Sequence, residues 1–403
     1  MRTRLSRRGF LSTGAAALVP ALLPGAAEKL KIVSVKTWPV PLAPTGRFGT
    51  ARFTSDFDPA RWRWFGPFSQ ISGSIIVEVR TDQGITGYGF GGGGGASAYI
   101  IEHHLRDLLI GVNPLNIEML WDQIHSSTEF YGRRGLAIMA LSGIDNALWD
   151  IAGKQAGLPV YRLLGGTTKE KIPAYFTSNN VERGLELGFR AFKLPIADGV
   201  PQGREGMQRT ILRVAEVRRR IGSDADLMID CLGRWNVPYT IEIAARMAEY
   251  RLRWIEEPLY PDNIQGYEQL CREIHSTRIA SGEHEYTAYG FSDLIRHNAV
   301  QVLQPDISWC GGLTALRRIV TLGTAHSLPI IPHRGSSRYA IHMIAASPAC
   351  DLAESFGIGE PANEVLAALT SRFENGFVYP PTGPGFGVEL NEAILRRNSR
   401  DAP

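Results

Sequence analysis

Past residue 28 the pattern of apolar and polar positions changes character once along the chain. Ile32-Val33-Ser34-Val35-Lys36-Thr37-Trp38 has strand character. Ile75–Val79 and Ile85–Gly89, joined by Thr81-Asp82-Gln83-Gly84, predict a hairpin. Helical periodicity appears next, over 99–110, 116–124 and 134–156. From residue 170 on, short apolar runs alternate with helix-compatible sequence. The runs are Ile172–Thr177, Ala191–Leu194, Leu227–Asp230, Trp254–Glu256, Ile279–Glu283, Val300–Asp306, Pro329–His333 and Leu352–Ser355. Eight such β/α units predict an α/β fold, a (β/α)8-type TIM barrel. The unit at 172 is the weakest of them, and the last departs most from regularity.

Three stretches do not fit either pattern. Residues 1–27 carry four Arg, no acid, and an apolar run after Ser6-Arg7-Arg8-Gly9-Phe10-Leu11, ending in small residues. This predicts an export signal of the twin-arginine type and a periplasmic or extracytoplasmic location. Residues 41–70 hold Pro, Gly, Arg and Trp without periodicity and predict a long loop, in which Arg47, Arg52, Arg61, Trp62, Arg63 and Trp64 are candidate contacts for substrate hydroxyls. Gly91–Gly95 predicts a flexible loop that could cradle an anion, although it lacks the Lys and Ser/Thr of a phosphate loop.

Composition narrows the partners. Lys and Arg number 43 against 40 Asp and Glu, a net excess smaller than the four Arg of the leader, so nothing points to nucleic acid. Cys231, Cys271, Cys310 and Cys350 are scattered without a C-x-x-C, which excludes a disulfide scaffold or a Cys-based zinc site. No apolar run is long enough to predict a membrane span.

The chemistry lies at the strand ends. Successive strands end on Lys193, Asp230, Glu256, Glu283, Asp306, His333 and Glu354. In a barrel these ends converge on one face, where active sites form. Three carboxylates on consecutive strands, Asp230, Glu256 and Glu283, cannot stay ionised together without a cation, and hard oxygen ligands select Mg2+. Glu257 is a rival to Glu256, because side chains alternate along a strand and only one can face inward. Asp306 and His333, one unit apart, form a candidate acid–base pair. Lys193 is a cation for a substrate carboxylate, or a second base if its pKa is depressed. Glu354 lies on the far side of the ring and could stabilise an enolic oxygen. His284, beside Glu283, is a further candidate substrate contact.

Taken together, Leu227-Met228-Ile229-Asp230, Trp254-Ile255-Glu256-Glu257-Pro258, Ser281-Gly282-Glu283-His284, Gln304-Pro305-Asp306 and Ile331-Pro332-His333 resemble the mandelate racemase branch of the enolase superfamily. Gln304–Thr314 and Pro384–Asn391 are most similar to its L-rhamnonate dehydratase group. The resemblance implies an N-terminal α+β capping domain, here 28–168, with 41–70 as its specificity loop. It also implies a modified barrel over 169–370, with 371–403 packing back on the cap. It implies Mg2+ held by Asp230, Glu256 and Glu283, an acid/base dyad of His333 with Asp306, Glu354 on the enolate side, and a homo-oligomer. Two positions depart from the pattern. Racemases of the branch carry Lys-x-Lys on the second strand, where Ala191 precedes Lys193. L-Rhamnonate dehydratases place a His in the loop, and here none precedes His103.

The implied reaction is dehydration of an acid sugar. His333 takes the C2 proton, charge on the carboxylate is stabilised by Mg2+, and the 3-hydroxyl leaves with the proton from His333. The enol then tautomerises to a 2-keto-3-deoxy acid. The alternatives are a racemase or epimerase, which needs a second base and so rests on Lys193, and an exported sugar-acid binding protein without turnover.

Overall fold

The computed structural model describes residues 30–40, 73–357 and 363–399. The predicted signal and the whole of the predicted specificity loop, 41–70, lie outside them. Among the described residues no helix is long and apolar enough to cross a membrane.

The chain opens with a three-stranded antiparallel sheet of β1 (Ile32–Val40), β2 (Ser74–Thr81) and β3 (Thr86–Gly91). The helix Leu136–Ala156 packs across it. The sequence of β3, Thr-Gly-Tyr-Gly-Phe-Gly, explains how closely. Its glycines share one face, and a Cβ at Gly89 would stand 1.8 Å from the Gly143 carbonyl oxygen. Only hydrogens fit between this strand and the helix.

The second unit is built from β4 (Ile172–Thr177), β5 (Ala191–Pro195), β6 (Asp226–Asp230), β7 (Trp254–Glu256), β8 (Arg278–Ser281), β9 (Val302–Leu303) and β10 (Ala353–Ser355). β4 to β9 pair in parallel in this order, and β10 pairs in parallel with β4 on its other side, so the strands curl into a barrel. The weak unit at 172 is a six-residue strand bonded on both sides. The expected strand at Pro329–His333 is instead reduced to one bridge, Leu303 with Ile330. Pro329 and Pro332 have no N–H to give a ladder, which accounts for the difference. The expected strands ending at Glu283 and Asp306 stop earlier, at Ser281 and Leu303, so both acids sit on the loops just beyond.

The segment after 371 divides in two. A hairpin of β11 (Arg372–Glu374) and β12 (Phe377–Tyr379) extends the barrel sheet by pairing antiparallel with β4. The remainder packs on the cap. Asp150 accepts from the backbone N–H of Phe386 at 2.9 Å, and Ser399 Oγ donates to the Pro39 carbonyl at 2.9 Å. His342 is buried in this seam. Its Nδ1 accepts from Tyr161 N at 3.1 Å, and its Nε2 donates to the Phe386 carbonyl at 3.3 Å.

Inside the barrel Tyr175, Ala191, Met228, Trp254, Ala280, Val302, Ile331 and Leu352 form a separate buried apolar cluster. Each of the eight strand positions contributes one residue. This layer is the floor on which the candidate site stands.

Candidate active site

Two residues further along each strand the chain returns to the same face. From the eight floor residues that step gives Thr177, Lys193, Asp230, Glu256, Gly282, Gln304, His333 and Glu354. The polar ring is therefore the apolar floor shifted by one pleat. Beyond it the chain turns sharply. Leu232, Glu257 and Arg334, one or two residues past Asp230, Glu256 and His333, have φ of 50°, 40° and 53°. Non-glycine residues held in this left-handed region gather at functional sites.

The dyad forms as the residue types predict. Asp306 Oδ2 lies 2.7 Å from His333 Nδ1, and its Oδ1 accepts from Ser308 N at 2.7 Å and from Ser308 Oγ at 2.5 Å. His333 N donates to the Pro305 carbonyl at 3.1 Å, which ties the two backbones together. His333 Nε2 points into the ring, 3.4 Å from Glu283 Oε2 and 3.6 Å from Glu354 Oε2. Burial works against the imidazolium, but Glu283, Glu354 and Asp306 outweigh it and lift the pKa to about 9. Burial likewise opposes ionisation of Asp306, and the His333 contact reverses this to hold its carboxyl below the usual range.

Lys193 is placed differently from expectation. Its ammonium contacts Glu256 Oε1, lies 2.8 Å from Glu354 Oε1 and 3.8 Å from Asp230 Oδ2, and the residue is 1% exposed. Burial would depress its pKa, yet these carboxylates raise it well above the usual value. A lysine so held is a counter-ion for the acids. Its three carboxylate neighbours take the place of the free cation or depressed base expected of it. Glu354 is fixed beside it, accepting from Thr177 Oγ1 at 2.6 Å and from Arg334 N at 2.9 Å.

Both glutamates of the Glu256-Glu257 pair reach the site, against the expectation from strand alternation. Glu256, on the last residue of β7, faces inward with Trp254 and accepts from Trp254 Nε1 at 2.9 Å and Gln304 Nε2 at 2.6 Å. Glu257 has already left the strand, and its left-handed backbone turns it toward His284, whose Nδ1 lies 2.8 Å from Glu257 Oε2. His284 is thus oriented by a carboxylate as His333 is, and the same contact outweighs burial to raise its pKa to about 10. Trp309 packs against both imidazoles, with its ring centroid 5.5 Å from that of His284 and 5.4 Å from that of His333.

The acids retain the imbalance that suggests a cation. Burial raises the pKa of Asp230 and of Glu256 to about 7, and that of Glu283 upward as well. Gln304 Oε1 is a buried acceptor with no partner. Hard oxygen donors, excess buried negative charge and an orphaned carbonyl fit a hard divalent cation. Here Lys193 is the cation that Asp230 and Glu256 share. Among the described residues, the group of three ligand-type side chains whose donor atoms lie within 4.8 Å of one another is Glu257, Glu283 and His284. Asp230 and Glu256 are not within it, so the structure adds Glu257 and His284 to the candidate ligands.

Sequence reasoning missed Trp309, Arg334 and the role of the glycine run. Residues 91–95 are no flexible cradle. They end β3 and start the helix Gly94–Ile100, and Gly92 N donates to the Ser308 carbonyl at 3.0 Å. A Cβ on Gly92 would come within 2.6 Å of the Trp309 ring. The cap thus presses directly on the segment carrying Asp306 and Ser308. Asn146 of the cap helix reinforces this, donating to the Phe90 carbonyl at 2.9 Å and accepting from Leu313 N at 3.1 Å.

Known proteins share this architecture. A family model for the mandelate racemase / muconate lactonizing enzyme N-terminal domain matches residues 69–165, and one described as enolase C-terminal domain-like matches 177–394. The chain is 37% identical over 335 residues to an L-rhamnonate dehydratase of Saccharopolyspora erythraea, covering 81% of this chain and 86% of that protein. The fold superposes on the crystal structure of L-rhamnonate dehydratase from Gibberella zeae with a TM-score of 0.79 at 30% identity, covering 92% of this chain and 95% of that one. A structure of rhamnonate dehydratase from the same organism complexed with Mg gives 0.79 at 28% identity, over 92% and 96% of the two chains.

Proposed function

Because the chain belongs to the mandelate racemase / muconate lactonizing enzyme family, with its enolase-like C-terminal domain, we propose that it is an Mg2+-dependent acid-sugar dehydratase acting on an aldonate of the L-rhamnonate type. The observation that carries this reading is the oriented Asp306–His333 dyad. Asp306 holds His333 Nδ1, which leaves Nε2 facing Glu283 and Glu354 of the carboxylate ring. The relatives named L-rhamnonate dehydratase support the substrate class.

The donors for the cation would come from Asp230, Glu256 and Glu283, with Glu257 and His284 beside them. When bound, Mg2+ supplies positive charge for the substrate carboxylate and 2-hydroxyl oxygens. The chain's own residues do the rest. Neutral His333 takes the C2 proton at Nε2, and the electron pair of that C–H bond moves into the C1–C2 region. Asp306 stabilises the imidazolium so formed. The C3–O bond then breaks, His333 returns its proton to the departing hydroxyl, and water leaves. The enol remaining between C2 and C3 tautomerises to the 2-keto-3-deoxy acid. Lys193 keeps Glu354 ionised and holds Glu256 in place throughout.

The test is incubation with L-rhamnonate and a panel of aldonic and aldaric acids, with Mg2+ or with EDTA, read by a 2-keto-acid assay. Product that appears with Mg2+ and vanishes with EDTA is expected. No product from any acid, or full activity in EDTA, refutes the reading. Export by a twin-arginine route, supported by Arg7-Arg8, and assembly as a homo-oligomer belong to the same proposal. Sedimentation velocity tests the second.

A further inference from the structure

We propose that Arg334 is a specificity-determining residue whose guanidinium binds substrate oxygens beyond C3. The inference rests on the acid-sugar reading above.

Arg334 follows His333 directly and holds a left-handed backbone, φ 53°. Two bonds pin that conformation. Arg334 N donates to Glu354 Oε2 at 2.9 Å, and the Arg334 carbonyl accepts from Ser337 N at 2.9 Å. The turn folds the side chain back over the site, where the guanidinium carbon sits 5.0 Å from the centre of the Trp309 ring. Trp309 is the same ring that contacts both His284 and His333.

The guanidinium is not used up in this position. Its closest carboxylate, Asp306 Oδ2, is 3.9 Å from Nε, beyond hydrogen-bond reach. Nη1 is buried and has no partner. A buried donor left unmade costs free energy, and a ligand oxygen that accepts from it recovers that cost. The other cation of the ring, Lys193, is already taken by Glu256 and Glu354. Arg334 is therefore, among the described residues, a cation beside the dyad with donor capacity to spare.

Its height above the floor fixes which part of the substrate it meets. Side-chain exposure rises from 8% at His333 to 23% at Arg334, so Arg334 lies nearer the mouth. The reacting C1–C3 end belongs with His333 and the acids below. The oxygens that reach Arg334 are those further along the chain, and a planar fork suits two of them at once.

The test separates affinity from turnover. In a His333→Asn background with Mg2+, calorimetry is run with L-rhamnonate, D-gluconate and glycerate, the last ending at C3. Arg334→Met should weaken the tighter of the two six-carbon acids about 10- to 100-fold, as for a hydrogen bond to a charged group. Glycerate should be left within about twofold, and Arg334→Lys should recover part of the loss, since it restores charge without the fork. With His333 intact, Arg334→Met should raise KM and leave kcat within about threefold, the sign of lost binding common to ground and transition states. Equal weakening of all three acids overturns the proposal, as does a fall in kcat at constant KM, which would make Arg334 a support for Asp306. Absence of binding by both six-carbon acids also overturns it. The dehydratase reading fails by a different result, the lack of a 2-keto product, and the affinities remain readable in that case.

Discussion

Replacing Lys193 by Met tests what holds the floor of the site together. The substitution keeps the length of the stem and removes the charge. In the structure that charge faces Glu256, Glu354 and Asp230, and all four residues are buried. Taking one partner out of a buried ion pair leaves an uncompensated charge and typically costs about 3–5 kcal/mol. The loss should therefore appear in the urea unfolding midpoint at neutral pH in EDTA, not only in KM. Its pH dependence has a definite sign. Burial already holds Asp230 and Glu256 at about 7, above their unfolded values. Such carboxyls favour the folded state while protonated and oppose it as pH rises through the folded pKa. Without Lys193 they shift further up, so the gap between variant and parent should widen from pH 5 to pH 8. A variant within about 0.5 kcal/mol of the parent at pH 8, the ordinary scatter of surface changes, would refute the counter-ion role and return Lys193 to the substrate.

Other consequences are directly measurable. His333→Asn should lower kcat by about 10²–10⁴-fold or more, since one residue both takes and returns the proton; Asp306→Asn should cost less, and C2-proton exchange in deuterated solvent should vanish with the first and persist weakly with the second. Exchange that survives in His333→Asn would move the base elsewhere. Burial depresses the His342 pKa from 6.5 to about 3, so its contribution to stability is whole above pH 6.5 and is lost as pH falls toward 3; at pH 5 the loss is about 2 kcal/mol, and unfolding midpoints of the parent and His342→Gln should converge on acidification. Arg7→Lys with Arg8→Lys should block export and leave active enzyme inside the cell, and export of the double variant would exclude the twin-arginine route.

Where local pattern decides position, the sequence was legible. Strand alternation carries Ala191, Met228 and Trp254 to the floor and Lys193, Asp230 and Glu256 to the ring above, and His333 with Asp306 follows from one β/α step. What could not be read depends on backbone turns and on distant contacts. Glu257 escaped the alternation rule because φ turns positive at the strand end. The two prolines flanking the seventh unit reduced a strand to a bridge. Nothing near Lys193 in the chain foretells that Glu354 will close the ring beside it. Gly92 reads as loop flexibility until Trp309, more than two hundred residues later, is seen to fill the space a side chain would need.

Among the described residues, the apolar floor closes one end of the barrel. Tyr175, Trp254, Ile331 and their neighbours bar passage through the far end, so what enters over the polar ring must leave by the same route. Reactant and product then cannot pass each other. A 2-keto-3-deoxy acid lingering in the site excludes the next sugar, and inhibition by product should be purely competitive at every substrate concentration.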